Sequence, residues 1–148
     1  MLNNLIRAGY IPALLFKGLK MYFKFNDGGR TNTPFKKKTK TADCVFRSIA
    51  IATNQEYLKV WNDLFFLGRK IGHLPNSRNT YEPYIFDFGF KPRKPIRIFK
   101  KKIRLKNWGH KLALVHTVRH LTCVKDYTIF DTWDCRPWCM NKWYSIEE

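Results

Sequence analysis

The sequence predicts an α+β domain whose helices precede an antiparallel sheet. From residue 44 apolar side chains recur at helical spacing, whereas residues 111–133 contain three short runs with the composition and alternation of strands. Helices followed by strands along a chain are typical of the α+β class. The 148 residues are 45% hydrophobic and 16% aromatic, which is enough for one core. We therefore expect one domain over residues 21–148 and an N-terminal extension over residues 1–20.

The first forty residues predict the extension, a strand and a loop. Residues 1–20 are basic and amphipathic and are interrupted by Pro12. We expect them to pack on the core rather than to anchor the chain at a membrane surface. Alternation over residues 22–25 predicts a strand, and the Asn-Asp-Gly-Gly that follows predicts a turn. The polar, lysine-rich residues 31–41 are expected to form an exposed loop.

Three helices are predicted in the middle of the chain. In the first, apolar residues recur at spacings of four and three after Cys44. Residues 53–56 match a capping box, which predicts the start of a second helix that ends at Gly68. The apolar face of this second helix would comprise Tyr57, Val60, Trp61, Leu64 and Phe65. A third helix is expected over residues 80–88.

The last third of the chain predicts a hairpin that pairs a histidine with a carboxylate. The strand-like runs cover residues 111–117, 120–125 and 128–133. A two-residue loop at residues 126–127 would make His120 and Asp131 diagonal neighbours on one sheet face, with Cβ atoms about 7 Å apart. Asp134 would then project to the opposite face, but a loop one residue longer would reverse that preference. Since Tyr127 is unfavourable in the type I′ turn of such a loop, Asp134 remains the alternative to Asp131.

Cys44, His120 and Asp131 supply the groups that a cysteine nucleophile requires. The free amides and the dipole at a helix amino end stabilise a thiolate and can bind an oxyanion. Asp43 either opposes this by its charge or serves as the helix cap. A histidine base and a carboxylate that orients it complete the set for acyl transfer. The alternative is structural: Cys44 would be a small core residue of an apolar helix, and His120 a hydrogen-bonded residue of a partly buried strand.

These residues resemble papain-like cysteine peptidases in the broad sense. In those enzymes a Cys, often preceded by Asp, begins a helix, a His begins a strand, and a polar residue follows on the next strand. The strings NDGGR (26–30), DCVFRSIAIAT (43–53), HL (120–121) and DTWDC (131–135) are also similar to an uncharacterised group of small phage and bacterial proteins. The resemblance covers about residues 23–143, and its motifs are specific as a set.

The resemblance implies a papain-like fold in which the first helix carries the cysteine and packs on the C-terminal antiparallel sheet. It makes Cys44 the nucleophile, His120 the base and Asp131 the residue that orients the base. The implied function is that of a phage-encoded cysteine hydrolase or acyl transferase, which acts on an amide or isopeptide bond through a thioester at Cys44.

The resemblance has one departure, at the oxyanion site. Papain-like enzymes usually place a Gln six residues before the nucleophile, and that position is Lys38 here. Thr39, Thr41, the amide of Cys44 or the charged Lys38 could supply the donor instead. Losing one such donor typically lowers the rate about 100-fold or more. The alternative function is therefore a catalytically inactive papain-like fold that serves as a basic virion-associated or nucleic-acid-binding protein.

The chain is strongly basic, with 28 Lys and Arg against 11 Asp and Glu and a formal charge of +17. This charge predicts attraction to polyanions but does not choose among nucleic acid, an anionic wall polymer and an acidic protein surface. Residues 91–106, called here the basic strip, hold nine Lys or Arg in sixteen positions. The strip predicts either a charged edge strand or a polyanion-binding surface. The candidates for binding are Lys100, Lys101, Lys102 and Arg104.

The remaining features do not favour a metal site, export or membrane insertion. The cysteines and histidines of the last third lack the two tight pairs of a zinc site, so we expect no metal and no cofactor. The apolar residues 11–16 are too few for an export signal, and no segment approaches membrane-spanning length. We therefore expect free thiols and a location in the cytoplasm of a host cell or in a virion. The expected partners are a protein or peptide substrate, nucleic acid or another polyanion, and phage structural proteins.

Overall fold

The computed structural model describes residues 20–37 and 42–146 of the chain. Its helices are α1 (Cys44–Thr53), α2 (Tyr57–Ile71) and α3 (Arg78–Asp87). Its strands are β1 (Tyr22–Phe25), β2 (Phe90–Arg93), β3 (Arg97–Ile98), β4 (Lys101–Lys102), β5 (Leu112–Thr117), β6 (His120–Lys125), β7 (Thr128–Asp131) and β8 (Lys142–Ile146). None of α1, α2 and α3 is both long and apolar enough to span a membrane. Residues 1–19 of the predicted extension lie outside the described residues, as do Lys38, Thr39 and Thr41.

Six of the strands form one sheet in the order β1-β7-β6-β5-β8-β2. Its neighbours are antiparallel except for β1 and β7, which run parallel. The predicted α+β class is therefore confirmed. The prediction that the sheet lies C-terminal to the helices holds for every strand of the sheet except the edge strand β1, which precedes the three helices. Pairing with β1 makes β7 an internal strand, and Asp131 at its end is buried.

Two apolar clusters cover the two faces of the sheet. On one face, buried side chains of α1, α2 and α3 cluster with Leu121 of β6. On the other face, Val124 and Ile129 belong to a second cluster, to which the segments before β5 and before β8 contribute. Because side chains alternate along a strand, His120 and Asp131 share the face of Val124 and Ile129. Both candidate residues therefore stand at the edge of the second cluster.

The basic strip covers the second sheet face with its apolar residues. Ile96, Ile103 and Leu105 are buried in the second cluster. The four candidate polyanion-binding residues are exposed: Lys100, Lys101, Lys102 and Arg104. β3 and β4 form a two-stranded ribbon, and Phe99 at its turn is 82% exposed. Since β2 is an edge strand with charged side chains, the strip combines a charged edge with a cationic ribbon.

Two predicted helix boundaries are wrong. Thr53, which was expected to begin a helix, ends α1; its hydroxyl donates to a carbonyl one turn back, and Asn54 takes a left-handed φ of 54°. Gly68 does not end α2, which continues for three more residues and is capped by Gly72. A Cβ at Gly68 would lie 2.6 Å from the carbonyl oxygen of His73. This glycine therefore permits a close return of the chain rather than a helix stop.

Candidate active site

Cys44 is the first residue of α1, and Asp43 occupies the N-cap position. The Asp43 side chain makes no capping hydrogen bond there. Ser48, one turn along α1, joins the helix start to β6, because its Oγ lies 2.6 Å from the carbonyl oxygen of Cys44 and 2.7 Å from that of Leu121. The amino end of α1 is thereby held against the strand that begins at His120.

The hairpin between β6 and β7 has the predicted two-residue loop. Lys125 pairs with Thr128, and Asp126 and Tyr127 have φ values of 47° and 58°, as a type I′ turn requires. Tyr127 is unusual in such a turn, but its ring packs closely over Gly109, where a Cβ would lie 2.4 Å from the ring. A tertiary contact therefore accommodates a residue that turn preferences disfavour.

This register places His120 beside Asp131. Nε2 of His120 lies 2.6 Å from Oδ2 of Asp131, and both side chains are buried. Asp134, the alternative carboxylate, is exposed and pairs with Arg136 at 2.7 Å. The ring of Trp133 packs against His120, with centroids 4.8 Å apart. The imidazole is thus oriented by Asp131 on one side and by an indole on another.

Burial alone would raise the pKa of the Cys44 thiol. Hydrogen bonding from His120 and from the backbone of Leu121, together with the positive charges of His120 and Arg47, outweighs burial and lowers that pKa. Burial acts on His120 in the opposite sense and would lower its pKa. The hydrogen bonds to Asp131, Cys135 and Cys44 prevail and raise the His120 pKa to about 11. Both shifts act in the direction that favours a thiolate paired with an imidazolium.

A buried network of charges, which the sequence analysis missed, surrounds this site. Arg47 is 5% exposed, pairs with Asp43, and places Nη2 3.4 Å from Oδ1 of Asp131. Nη1 of Arg30 lies 3.2 Å from Oδ2 of Asp43, which also accepts a 2.9 Å hydrogen bond from the Tyr57 hydroxyl. Asp43 therefore does not cap α1 through its side chain, and two guanidinium groups offset its charge beside the thiol.

The sequence did contain a signal for this network, in the arginines of NDGGR and DCVFR. Gly28 of the first string takes a φ of 67°, and a Cβ on it would lie 2.9 Å from Cα of Arg47. Asp27 stabilises the turn by accepting hydrogen bonds from the amides of Gly29 at 3.0 Å and Thr31 at 2.8 Å. The NDGGR turn is therefore shaped to pack its backbone against that of α1.

His120, Asp131 and Cys135 also bring a ring nitrogen, a carboxylate oxygen and a sulfur within 4.8 Å of one another. The spacing of these three residues along the chain does not match a metal-binding motif. Their chemistry does not fit a metal site well: the raised pKa of His120 leaves the ring without a free lone pair near neutral pH. Arg47 also contributes a positive charge 3.4 Å from Asp131. A protonated histidine held by a carboxylate accounts for the cluster.

A cleft of about 480 Å³ opens beside the candidate triad and is lined by Cys44 and His120. Its basic lining residues are Arg30, Arg47, Arg78, His116 and Arg119. Within the part of the chain that the structure describes, no Asp or Glu lines it. The polyanion-binding candidates Lys100, Lys101, Lys102 and Arg104 do not line it either. A substrate can therefore reach the thiol through a cationic space separate from the β3–β4 ribbon.

Comparison of the chain with protein-family models, with curated proteins and with solved structures finds no match. The site consists of a partly buried thiol, an imidazole that lowers the pKa of that thiol, a carboxylate hydrogen-bonded to the imidazole, and an open cleft beside them.

Proposed function

We propose that the protein is a papain-like cysteine hydrolase or acyl transferase that acts on an amide or isopeptide bond through a thioester at Cys44. One observation carries the proposal. At the amino end of α1, Cys44 and His120 line the same cleft, the His120 side chain lowers the pKa of the Cys44 thiol, and Nε2 of His120 lies 2.6 Å from Oδ2 of Asp131. Their order along the sequence and their placement on a helix and two neighbouring strands support the papain-like assignment.

In the first half of the reaction, the Cys44 thiolate attacks the substrate carbonyl carbon and forms a tetrahedral oxyanion. The amides at the amino end of α1 are suited to stabilise that oxyanion. The His120 imidazolium then donates its proton to the leaving amine, and the carbon–nitrogen bond breaks. This step leaves a thioester on Cys44 and a neutral His120.

In the second half, water attacks the thioester in a hydrolase, or an acceptor amine does so in a transferase. His120 removes a proton from the attacking group, and the carbon–sulfur bond breaks to regenerate the thiolate and the imidazolium. Asp131 keeps Nε2 of His120 engaged throughout, so that the other ring nitrogen is directed at the reacting atoms.

The test is turnover of an activated acyl ester, because it does not require the natural substrate. Wild-type protein mixed with p-nitrophenyl acetate should release nitrophenolate continuously and carry a hydroxylamine-sensitive acetyl group on Cys44. Cys44→Ala should show no acyl adduct of this kind, and His120→Gln should acylate and deacylate slowly. Turnover by the wild type no faster than by Cys44→Ala would contradict the proposal.

The second candidate function is polyanion binding by an inactive fold, favoured by the exposed Phe99 at the turn of the cationic β3–β4 ribbon. Aromatic and cationic side chains together suit single-stranded nucleic acid. The ribbon is separate from the Cys44 cleft, so the two functions can be tested independently.

A further inference from the structure

The cleft beside Cys44 is lined by two arginines that lie outside the buried charge network of Arg30, Arg47, Asp43 and Asp131. Arg78 and Arg119 line it and are exposed. Within residues 20–37 and 42–146 neither of them forms an ion pair with a carboxylate. Glu82 is close enough to interact with the charge of Arg78, but its Oε1 accepts hydrogen bonds of 2.6 Å from Lys142 and from the Tyr144 hydroxyl. Since no Asp or Glu of the described chain lines the cleft, the charges of Arg78 and Arg119 give it a positive potential.

The positive path extends beyond the first cleft. A second cavity of about 640 Å³ shares Arg78 and His116 with the first and continues past Lys94 and Lys142. Burial lowers the pKa of His116, and the positive charges of Arg78, His120 and Lys142 lower it further. A cationic field thus runs from Cys44 along the ends of β5 and β8.

From this arrangement we infer that the substrate is an acidic peptide, and that Arg78 and Arg119 bind carboxylates within a few residues of its scissile bond. The inference rests on the proposed function. A thioester mechanism requires an acyl carbon at Cys44, which a peptide supplies and a nucleic acid does not. The anionic group that occupies the cationic path must therefore belong to the acyl substrate: an acidic side chain or a terminal carboxylate.

The first test compares two alkylating agents that differ in charge. Iodoacetate carries a carboxylate and iodoacetamide is its neutral counterpart, so the ratio of their rates at Cys44 reports the local potential. Relative to the neutral thiol N-acetylcysteine amide, this ratio should be about tenfold higher at Cys44, in line with electrostatic steering in a charged cleft. The double variant Arg78→Gln/Arg119→Gln should lower the ratio at least threefold.

The matched control is Arg69→Gln/Lys70→Gln, which removes the same charge from the last turn of α2. It should leave the ratio unchanged. If both double variants lower it equally, the preference reflects only the net charge of +17, and the inference is overturned. Slow reaction of Cys44 with iodoacetamide itself would overturn the proposed function, whereas fast reaction without preference for iodoacetate would overturn this inference alone.

The second test identifies the class of the ligand. Six-residue peptides of Glu and of Gln, both blocked at their ends, and a six-nucleotide oligothymidylate are each added before iodoacetamide. The Glu peptide should slow alkylation of Cys44 in a saturable manner, and the Gln peptide should not. Protection by the Glu peptide should disappear in Arg78→Gln/Arg119→Gln and persist in Arg69→Gln/Lys70→Gln. Oligothymidylate that protects as well as the Glu peptide, or equal protection by both peptides, would overturn the assignment to acidic peptides.

Discussion

Oδ2 of Asp131 lies 2.6 Å from Nε2 of His120, and Oδ1 of the same carboxylate lies 3.4 Å from Nη2 of Arg47. One buried carboxylate thus serves both the imidazole at the end of β6 and the guanidinium of α1. Burial would raise the pKa of Asp131, but the hydrogen bond and charge of His120 keep that pKa below its usual value. Asp131 therefore links the chemistry of the site to the stability of the fold.

Replacing Asp131 by Asn should damage both stability and reactivity. The change leaves the buried charges of Arg47 and His120 without their shared anion, so the free energy of unfolding should fall by about 3 kcal/mol. Alkylation of Cys44 at pH 7 should slow at least about tenfold, as expected when a hydrogen bond to a charged group is lost. Urea denaturation and timed iodoacetamide labelling measure the two effects. Asp134→Asn is the control. It should change the free energy of unfolding by less than about 1 kcal/mol, because Asp134 pairs with Arg136 at the surface. Equal effects of the two variants would contradict the assignment of Asp131.

Cys44 should be the thiol that alkylates at neutral pH. The pKa of Cys44 is lowered from the ordinary thiol value of 9.0. The rate of its alkylation should therefore rise and level off at lower pH than the rate for N-acetylcysteine amide. Cys123 is buried and has a raised pKa, so it should stay unlabelled in the native protein. Mass spectrometry of peptides after limited labelling gives the site, and Cys44→Ala should remove nearly all label. A profile for Cys44 that coincides with that of the model thiol would count against an ion pair with His120.

The placement of His120 and Asp131 could be predicted from sequence because it depends on local rules. Strand alternation and a two-residue loop determine the register between β6 and β7, and the observed pairing of Lys125 with Thr128 follows both. The start of α1 at Cys44 likewise depends on the spacing of apolar residues within one segment. Such features need no knowledge of distant parts of the chain.

The charge network and the sheet edges could not be predicted, because they depend on contacts between distant segments. The pairing of Arg47 with Asp43, four residues earlier, matches helical spacing, but Arg47 and Asp131 are 84 positions apart and no local rule brings them together. The parallel pairing of β1 with β7 is of the same kind. At two positions, local preferences gave the wrong expectation because tertiary packing outweighs them. Local preferences predicted a helix stop at Gly68, which instead permits a close approach of the chain, and they disfavoured Tyr127 in a turn, where its ring packs on Gly109.

Gly28 and Gly29 should respond differently to substitution by Ala. Both have positive φ, at 67° and 90°, so either change strains the backbone. At Gly28 a Cβ would also lie 2.9 Å from Cα and the carbonyl oxygen of Arg47, whereas at Gly29 it would meet nothing within 4 Å. We expect Gly29→Ala to lower the free energy of unfolding by about 1 kcal/mol and Gly28→Ala by about 2–3 kcal/mol or more. Urea denaturation of both variants tests this; equal losses would show that the NDGGR turn does not pack on α1 as described.

The raised pKa of His120 should make part of the stability depend on pH. In the unfolded chain the ordinary pKa is 6.5, and in the folded protein it is about 11. The contribution of His120 is therefore fully present below pH 6.5 and is lost as the pH rises from there toward 11. In a Cys44→Ala background, which removes the titration of the thiol, His120→Gln should destabilise the protein more at pH 6 than at pH 9, by about 1–3 kcal/mol. Unfolding free energies in urea at the two pH values give the comparison, and equal losses at both would show that the pKa is not raised.

If the β3–β4 ribbon is a nucleic-acid-binding surface, removing its charges should weaken binding more than removing the same charge elsewhere on the protein. Binding of single-stranded DNA should weaken as salt rises, because each neutralised phosphate releases counterion, and removing two contacts should flatten the logarithmic slope by about 1.4. We expect this flattening for Lys101→Gln/Lys102→Gln, with no change in alkylation of Cys44, because neither lysine lines the cleft. Arg69→Gln/Lys70→Gln removes the same charge from α2 and should flatten the slope less. Fluorescence anisotropy of a labelled oligonucleotide across a salt series measures both slopes, and equal slopes would assign the attraction to the net charge of +17 rather than to the ribbon.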